Sequence, residues 1–142
     1  MKKRILGIDF GEVRTGLAVS DTLGMMAHGI GTVKTGGFKN LISIIEEKIA
    51  EYGISLIVMG NPVNMNGTRG EKSEIVSSLA ERIRTELNVE VTLIDERLTT
   101  AAAHEILNFT EIKGKKRKSV IDTLSAQIIL QNYLDSHQSI DI

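Results

Sequence analysis

The stretch GIDFGEVRTGLAVSD, residues 7–21, decides how the rest of the chain is read. An apolar run carries a lone acid, Asp9, into a loop holding Gly11, and a second apolar run leaves through Gly16. Read from residue 4, RILGIDF puts Leu6, Ile8 and Phe10 on one face and Ile5 on the other, the pattern of a central strand covered on both sides. TGLAVSD (15–21) and MAHGIGTVKT (26–35) are two further strands, with LGMM around Gly24 as the hairpin turn between them. Connections this short make an antiparallel meander.

The second half changes rhythm. Leu41, Ile42, Ile45, Ile49 and Tyr52 fall on one helical face, and Gly53 stops that helix. SLIVMG (55–60) is a short strand buried on both sides. Ile75, Leu79, Ile83 and Leu87 recur every four residues along a second helix, which starts near Thr68–Glu71, a candidate capping box. EVTLIDE (90–96) is the next strand, TTAAAHEIL (99–107) the next helix, and a last helix runs from about Ser119 to Ser136. The order βββαβαβαα is α/β: a mixed five-stranded sheet with strands one, four and five parallel and helices on both faces. With no linker, repeat or low-complexity segment, residues 1–142 are expected to form a single domain.

In such a sheet, ligands gather at the carboxyl ends of the parallel strands. Asp9 closes the first strand and Asp95–Glu96 the fifth. A third acid, Asp122, is placed in the first turn of the last helix, heading a stripe of Ala126, Ile129 and Tyr133. Carboxylates converging on one rim repel and raise each other's pKa unless a cation holds them together. Hard divalent cations such as Mg²⁺ or Mn²⁺ prefer such oxygen ligands and commonly act on phosphate oxygens. Asp9 therefore reads as a metal ligand.

Each acid also has a duller explanation. Asp9 suits an Asx-type turn with the backbone of Gly11. Ser119-Val-Ile-Asp122 fits a capping box, and on spacing alone the cap is favoured. Asp95 and Glu96 precede Arg97, an easy local salt bridge. The coincidence of several acids in one architecture tilts the balance toward the metal.

The other candidates are weaker. His28, His104 and His137 share no metal-binding spacing, and no serine or threonine has a visible His–Asp partnership. Met25, Met26, Met59 and Met65 read as core or loop filler. NPVNMNGTRG (61–70) is a polar loop at the Asp9 rim; it suits anion binding by backbone N–H groups as well as it suits a plain connector. KGKKRK (113–118) sets five positive charges in six residues just before the Asp122 helix. Cations beside an acidic rim are what a polyanionic backbone needs, and with only 4% aromatic residues, phosphate and shape contacts should dominate over base stacking.

Composition bounds the rest. Hydrophobic content of 42%, charged content of 25% and a net charge of −1 are those of an ordinary globular protein, and they exclude a globally basic nucleic-acid binder. The absence of cysteine excludes disulfides, thiolate metal sites and a thiol nucleophile. MKKRILGID is too short in its apolar run for a signal peptide, and nothing approaches the roughly 18 apolar residues of a membrane span. A cytoplasmic protein is expected.

GIDFGEVRTGLAVSD, GNPVNMNGT, LIDERLTTAAA and KRKSVIDTLSAQIILQNYLD, in that order, resemble the four signature blocks of the YqgF family. Its members are also called RuvX, Holliday-junction resolvase-like proteins or pre-16S rRNA nucleases. The blocks cover nearly the whole chain, with Thr15 a small departure where an aliphatic residue is expected. The resemblance implies an RNase H-like fold related to the RuvC resolvases, and a metal-dependent nuclease of the bacterial cytoplasm. It also implies a site whose acids fall on Asp9, on Glu96 or Asp95, and on Asp122. Maturation of the 5′ end of 16S rRNA is the implied role, and branched DNA is the alternative substrate.

The expected chemistry is phosphodiester hydrolysis with two Mg²⁺ or Mn²⁺ ions, Asp9 bridging them and Glu96 and Asp122 each completing one sphere. Lys115, Lys116, Arg117, Lys118 and the 61–70 loop, through Asn66 and Thr68, are expected to hold the nucleic-acid backbone, with Arg14 and Arg97 as further contacts. The protein would act as a monomer or homodimer. Two rivals stand beside this reading. DFGEVRTG also resembles the first phosphate loop of actin-like and sugar-kinase ATPases, but those duplicate the domain. A catalytically silent RNA-binding module would use the same basic rim.

Overall fold

The computed structural model describes residues 4–62, 70–95 and 114–137. Five strands, β1 (Arg4–Asp9), β2 (Arg14–Ser20), β3 (Ala27–Lys34), β4 (Ile54–Asn61) and β5 (Glu90–Asp95), form one sheet in the order β3-β2-β1-β4-β5. β1 and β2, and β2 and β3, pair antiparallel, whereas β1–β4 and β4–β5 are parallel. The meander and the three parallel strands expected from the sequence are both present. The expected helix over 99–107 lies outside the described residues.

Alternation along β1 sorts the two faces. Leu6, Ile8 and Phe10 join Leu41, Ile42 and Ile45 of α1 (Gly37–Tyr52) and Val76, Leu79 and Ile83 of α2 (Glu71–Leu87) in the larger core. The opposite face meets one long helix, α3 (Gly114–His137), through Ile5, Ala18, Ala27, Ala126, Leu130 and Leu134. That second face is built from small residues. A Cβ on Gly7 would lie 2.8 Å from Leu130 Cβ, and one on Gly16 would collide with the carbonyl oxygen of Asp122. The missing side chains let α3 lie almost directly on the strands.

Helix ends depart from expectation in two places. α1 stops where the sequence says, with Gly53 in the left-handed region (φ 67°) and its N–H on Ile49 O. α2, however, begins at Glu71 behind Gly70, with no side-chain cap. Glu71 is then the first helical residue and not the third, so it cannot close a box with Thr68, itself outside the described residues. Ser73 instead donates to Asn61 Oδ1 at 2.7 Å, a buried pair tying α2 to the end of β4. α3 begins five residues before Ser119, so Lys115, Lys116, Arg117 and Lys118 belong to its first turns and do not precede it. Lysine and arginine are good helix formers, which is the local reason for the extension. Asp122 is consequently an interior residue of α3, and the Ser119–Asp122 capping box does not exist.

The turn between β2 and β3 is tied by Asp21, whose Oδ1 accepts the N–H groups of Leu23 and Met25. The Met25 N–H, foremost among these donors, holds the Asp21 carboxyl below its ordinary pKa. Met59 is fully buried in the core, and Met25 and Met26 stand exposed on this turn, the two placements expected for the methionines. Met65 lies outside the described residues. No helix among the described residues is long and apolar enough to cross a membrane.

Candidate active site

Asp9 ends β1, half-buried, and its register partner on β2 is Gly16. Partners in an antiparallel pair project to the same face, and the Cβ direction of Gly16 runs into Asp122. Asp9 and Asp122 therefore stand at the same rim, on the α3 side of the sheet. Gly7 and Gly16 make this possible by admitting the helix. The contacts of α3 also give its direction. Asp122 lies over Gly16, Ala126 and Leu130 lie over Gly7, and the Gln131 side chain accepts from Ala27 N–H. The helix thus starts at the Asp9 rim and runs toward the Asp21 turn, so its basic first turns lie on the Asp9 side. Lys118 is exposed there.

The loop after Asp9 is pinned from below. Thr35 Oγ1 donates to Gly11 O at 2.6 Å and its N–H to Val13 O at 2.9 Å. Thr15, where the resemblance implies an aliphatic residue, is fully buried with its hydroxyl 2.8 Å from that of Thr35. A threonine where an aliphatic residue is expected is thus matched by a second threonine. Together they brace the turn that delivers Arg14.

Arg14 donates through Nε to Asp122 Oδ2 at 2.8 Å, with the two side chains 40% and 22% exposed. The sequence reading named both residues and missed their pairing, because 108 positions separate them. It also passed over Thr35. The repeated small residues facing α3 were the available signal for the close approach, and they went unread.

Asp95 is placed differently. Its register partner is Asn61, which reaches Ser73 of α2, and Val91 and Leu93 before it pack in the larger core. Alternation therefore directs Asp95 to the α1/α2 face, away from Asp9. Asp9 and Asp95 each make a further contact with the rest of the chain. Glu96, Arg97, Asn66 and Thr68 lie outside the described residues, as do the side chains of Lys115, Lys116 and Arg117. No three acidic or imidazole side chains among the described residues gather as a metal-holding group. His28 and His137 are exposed, and His104 lies outside the described residues.

Similarity to known proteins extends along nearly the whole chain. Residues 3–136 match the RuvX family model, described as Holliday junction resolvase. A protein of Clostridium tetani named "Putative pre-16S rRNA nuclease" is 45% identical over 133 residues, covering 94% of this chain and 96% of that one. A protein of Bacillus cytotoxicus with the same name is 42% identical over 135 residues, covering 94% and 98%. Among solved structures, Thermus thermophilus RuvC in complex with a Holliday junction substrate superposes with a TM-score of 0.59 at 16% identity, covering 96% of both chains. The fowlpox virus Holliday junction resolvase gives 0.55 at 15% identity, covering 96% of this chain and 99% of that one. Those two structures establish the fold, RNase H-like as expected. The match along residues 3–136, with these identities over nearly the full length of the relatives, settles the family: the chain belongs to the RuvX family.

Proposed function

We propose that this protein is a metal-dependent nuclease that hydrolyses a phosphodiester bond at the 5′ end of pre-16S rRNA. The observation that carries the reading is the placement of Asp9 and Asp122 at the same rim, made possible by the bare Cα of Gly16. The names of the relatives favour the RNA substrate.

The donor set fits a hard cation. Two carboxylates share the rim, and among the described residues Asp122 engages Arg14 through Oδ2 rather than Oδ1. Asp9 and Asp122 would hold Mg²⁺ or Mn²⁺, with Glu96 as the third acid. Asp95, directed to the other face, is the weaker choice. A divalent cation so bound supplies charge neutralisation at the phosphate and lowers the pKa of water. The chain's own residues do the rest. The hydroxyls of Thr15 and Thr35 fix the Gly11–Arg14 turn, and the basic turns of α3 give sequence-independent attraction for the backbone.

The test is cleavage of a panel: an RNA spanning the 16S 5′ precursor end, unrelated single strands, and a four-way DNA junction, each with Mg²⁺, Mn²⁺ or EDTA. Metal-dependent cutting of the precursor, abolished in Asp9→Asn without loss of the thermal midpoint, is expected. Preferential cutting of the junction would transfer the reading to branched DNA. Binding without cutting under every condition would leave an RNA-binding module.

A further inference from the structure

We propose that Arg14 grips the phosphate being cut, and that Asp122 holds the guanidinium in place for that task. This rests on the nuclease reading above. The geometry is a single bond: Nε of Arg14 to Oδ2 of Asp122, at 2.8 Å. Among the described residues, neither Nη group of Arg14 has a hydrogen-bond partner, nor does Oδ1 of Asp122. An arginine clasped by its inner nitrogen is fixed in orientation while its outer fork stays free. That fork matches two phosphate oxygens, which a lysine cannot do.

The surroundings favour an anion of this kind. The Arg14 side chain is 40% exposed, so a ligand can reach it from solvent. Lys34, its register partner on β3, is exposed and projects from the same face. A half-exposed ion pair adds little to stability, so the bond alone does not explain an arginine here. Asp122 then serves two roles: its Oδ2 aims Arg14, and the residue itself stands at the Asp9 rim. A phosphate at that rim would lie between the acids and the fork.

The experiment measures binding of a fluorescent single-stranded RNA and its DNA counterpart in EDTA across a salt series, which separates phosphate grip from metal chemistry. Arg14→Gln should bind about tenfold more weakly, because one forked grip on a phosphate is removed. Its salt slope should fall by about 0.7, one phosphate on a single strand. Arg14→Lys keeps the charge and hence the slope. It should still bind several-fold more weakly, because one ammonium cannot hold Asp122 and fork a phosphate together. Wild-type affinity and slope in Arg14→Gln would reduce the pair to a structural clasp, and wild-type affinity in Arg14→Lys would remove the fork from the account. If Arg14→Gln does not fold, the lysine variant decides. A wild-type protein that binds neither strand at any salt would overturn the nuclease reading itself, a distinct failure.

Discussion

Asp122 shows how one residue's position in a helix changes what its substitution tests. The bond between the Thr32 hydroxyl and the Ser119 carbonyl engages the backbone of Ser119, not its side chain. Ser119→Ala should therefore change stability by no more than roughly 0.5 kcal/mol and leave cleavage intact. Asp122→Asn should abolish cleavage while costing only about 0–1 kcal/mol, the worth of a half-exposed ion pair. Chemical unfolding beside a turnover assay checks both, and an active Asp122→Asn would remove the residue from the site. The threonine pair gives a second expectation. Thr35→Val strips Gly11 O of its short bond and leaves the buried Thr15 hydroxyl with only a 3.4 Å contact, so stability should fall by about 1–3 kcal/mol. Adding Thr15→Val should recover part of that loss, because the orphaned hydroxyl goes too; a double-mutant cycle that shows strict additivity would contradict the bridge. Asp9 and Asp122 stood out in the sequence as candidates because lone acids at strand ends and on apolar stripes violate burial rules. The pairing of Asp122 with Arg14, and of Thr15 with Thr35, was not legible, because pairing across the fold leaves no local periodicity to read.

At the scale of elements, α3 against the sheet is the decisive contact. Gly16→Ala would set a methyl group on the Asp122 carbonyl, with Thr123 N only 3.0 Å away. Backbone cannot rotate aside as a side chain can, so the helix must lift. The expected loss is at least the ~1–3 kcal/mol of an overpacked core, together with loss of cleavage as Asp122 leaves the rim. A Gly16→Ala protein with an unchanged thermal midpoint and turnover would show that the helix is not held this closely. The covering of both faces was readable from β1, where Leu6 and Ile8 alternate with Ile5 and Gly7, and the strand directions from the lengths of the connections. The ends of α2 and α3 were misjudged for one shared reason. Both readings relied on a side-chain box, while α2 starts behind an uncapped glycine and α3 runs on through lysines and an arginine. A cap motif is a local preference worth about 1 kcal/mol, and tertiary packing overrides it.

For the whole molecule, the distribution of charge matters more than its sum. Seventeen cationic residues face eighteen acidic ones, yet four of the cations fall consecutively at Lys115–Lys118. They occupy the first turns of α3, with no acid in the first turn. Cations at a helix N-terminus oppose the macrodipole, at about 0.3–1 kcal/mol each near the first turn. A cost of this kind, placed at the Asp9 end of the helix, is one that the proposed contact with a nucleic-acid backbone would offset. Replacing all four with alanine should leave α3 formed, since alanine is the better helix former, and should if anything stabilise the free protein. Nucleic-acid affinity should fall, and its salt slope should flatten by about 0.7–0.9 for each phosphate no longer neutralised. At saturating substrate, turnover should largely survive, because the variant gives up attraction for the backbone and not stabilisation of the transition state. Binding and cleavage across a salt series, compared between the wild type and the fourfold variant, read these effects apart. Loss of turnover with an unchanged slope would place these residues in the chemistry, and an unchanged slope with unchanged turnover would make the segment a solvated end of α3 and move the nucleic-acid path to Arg14 and the 61–70 loop.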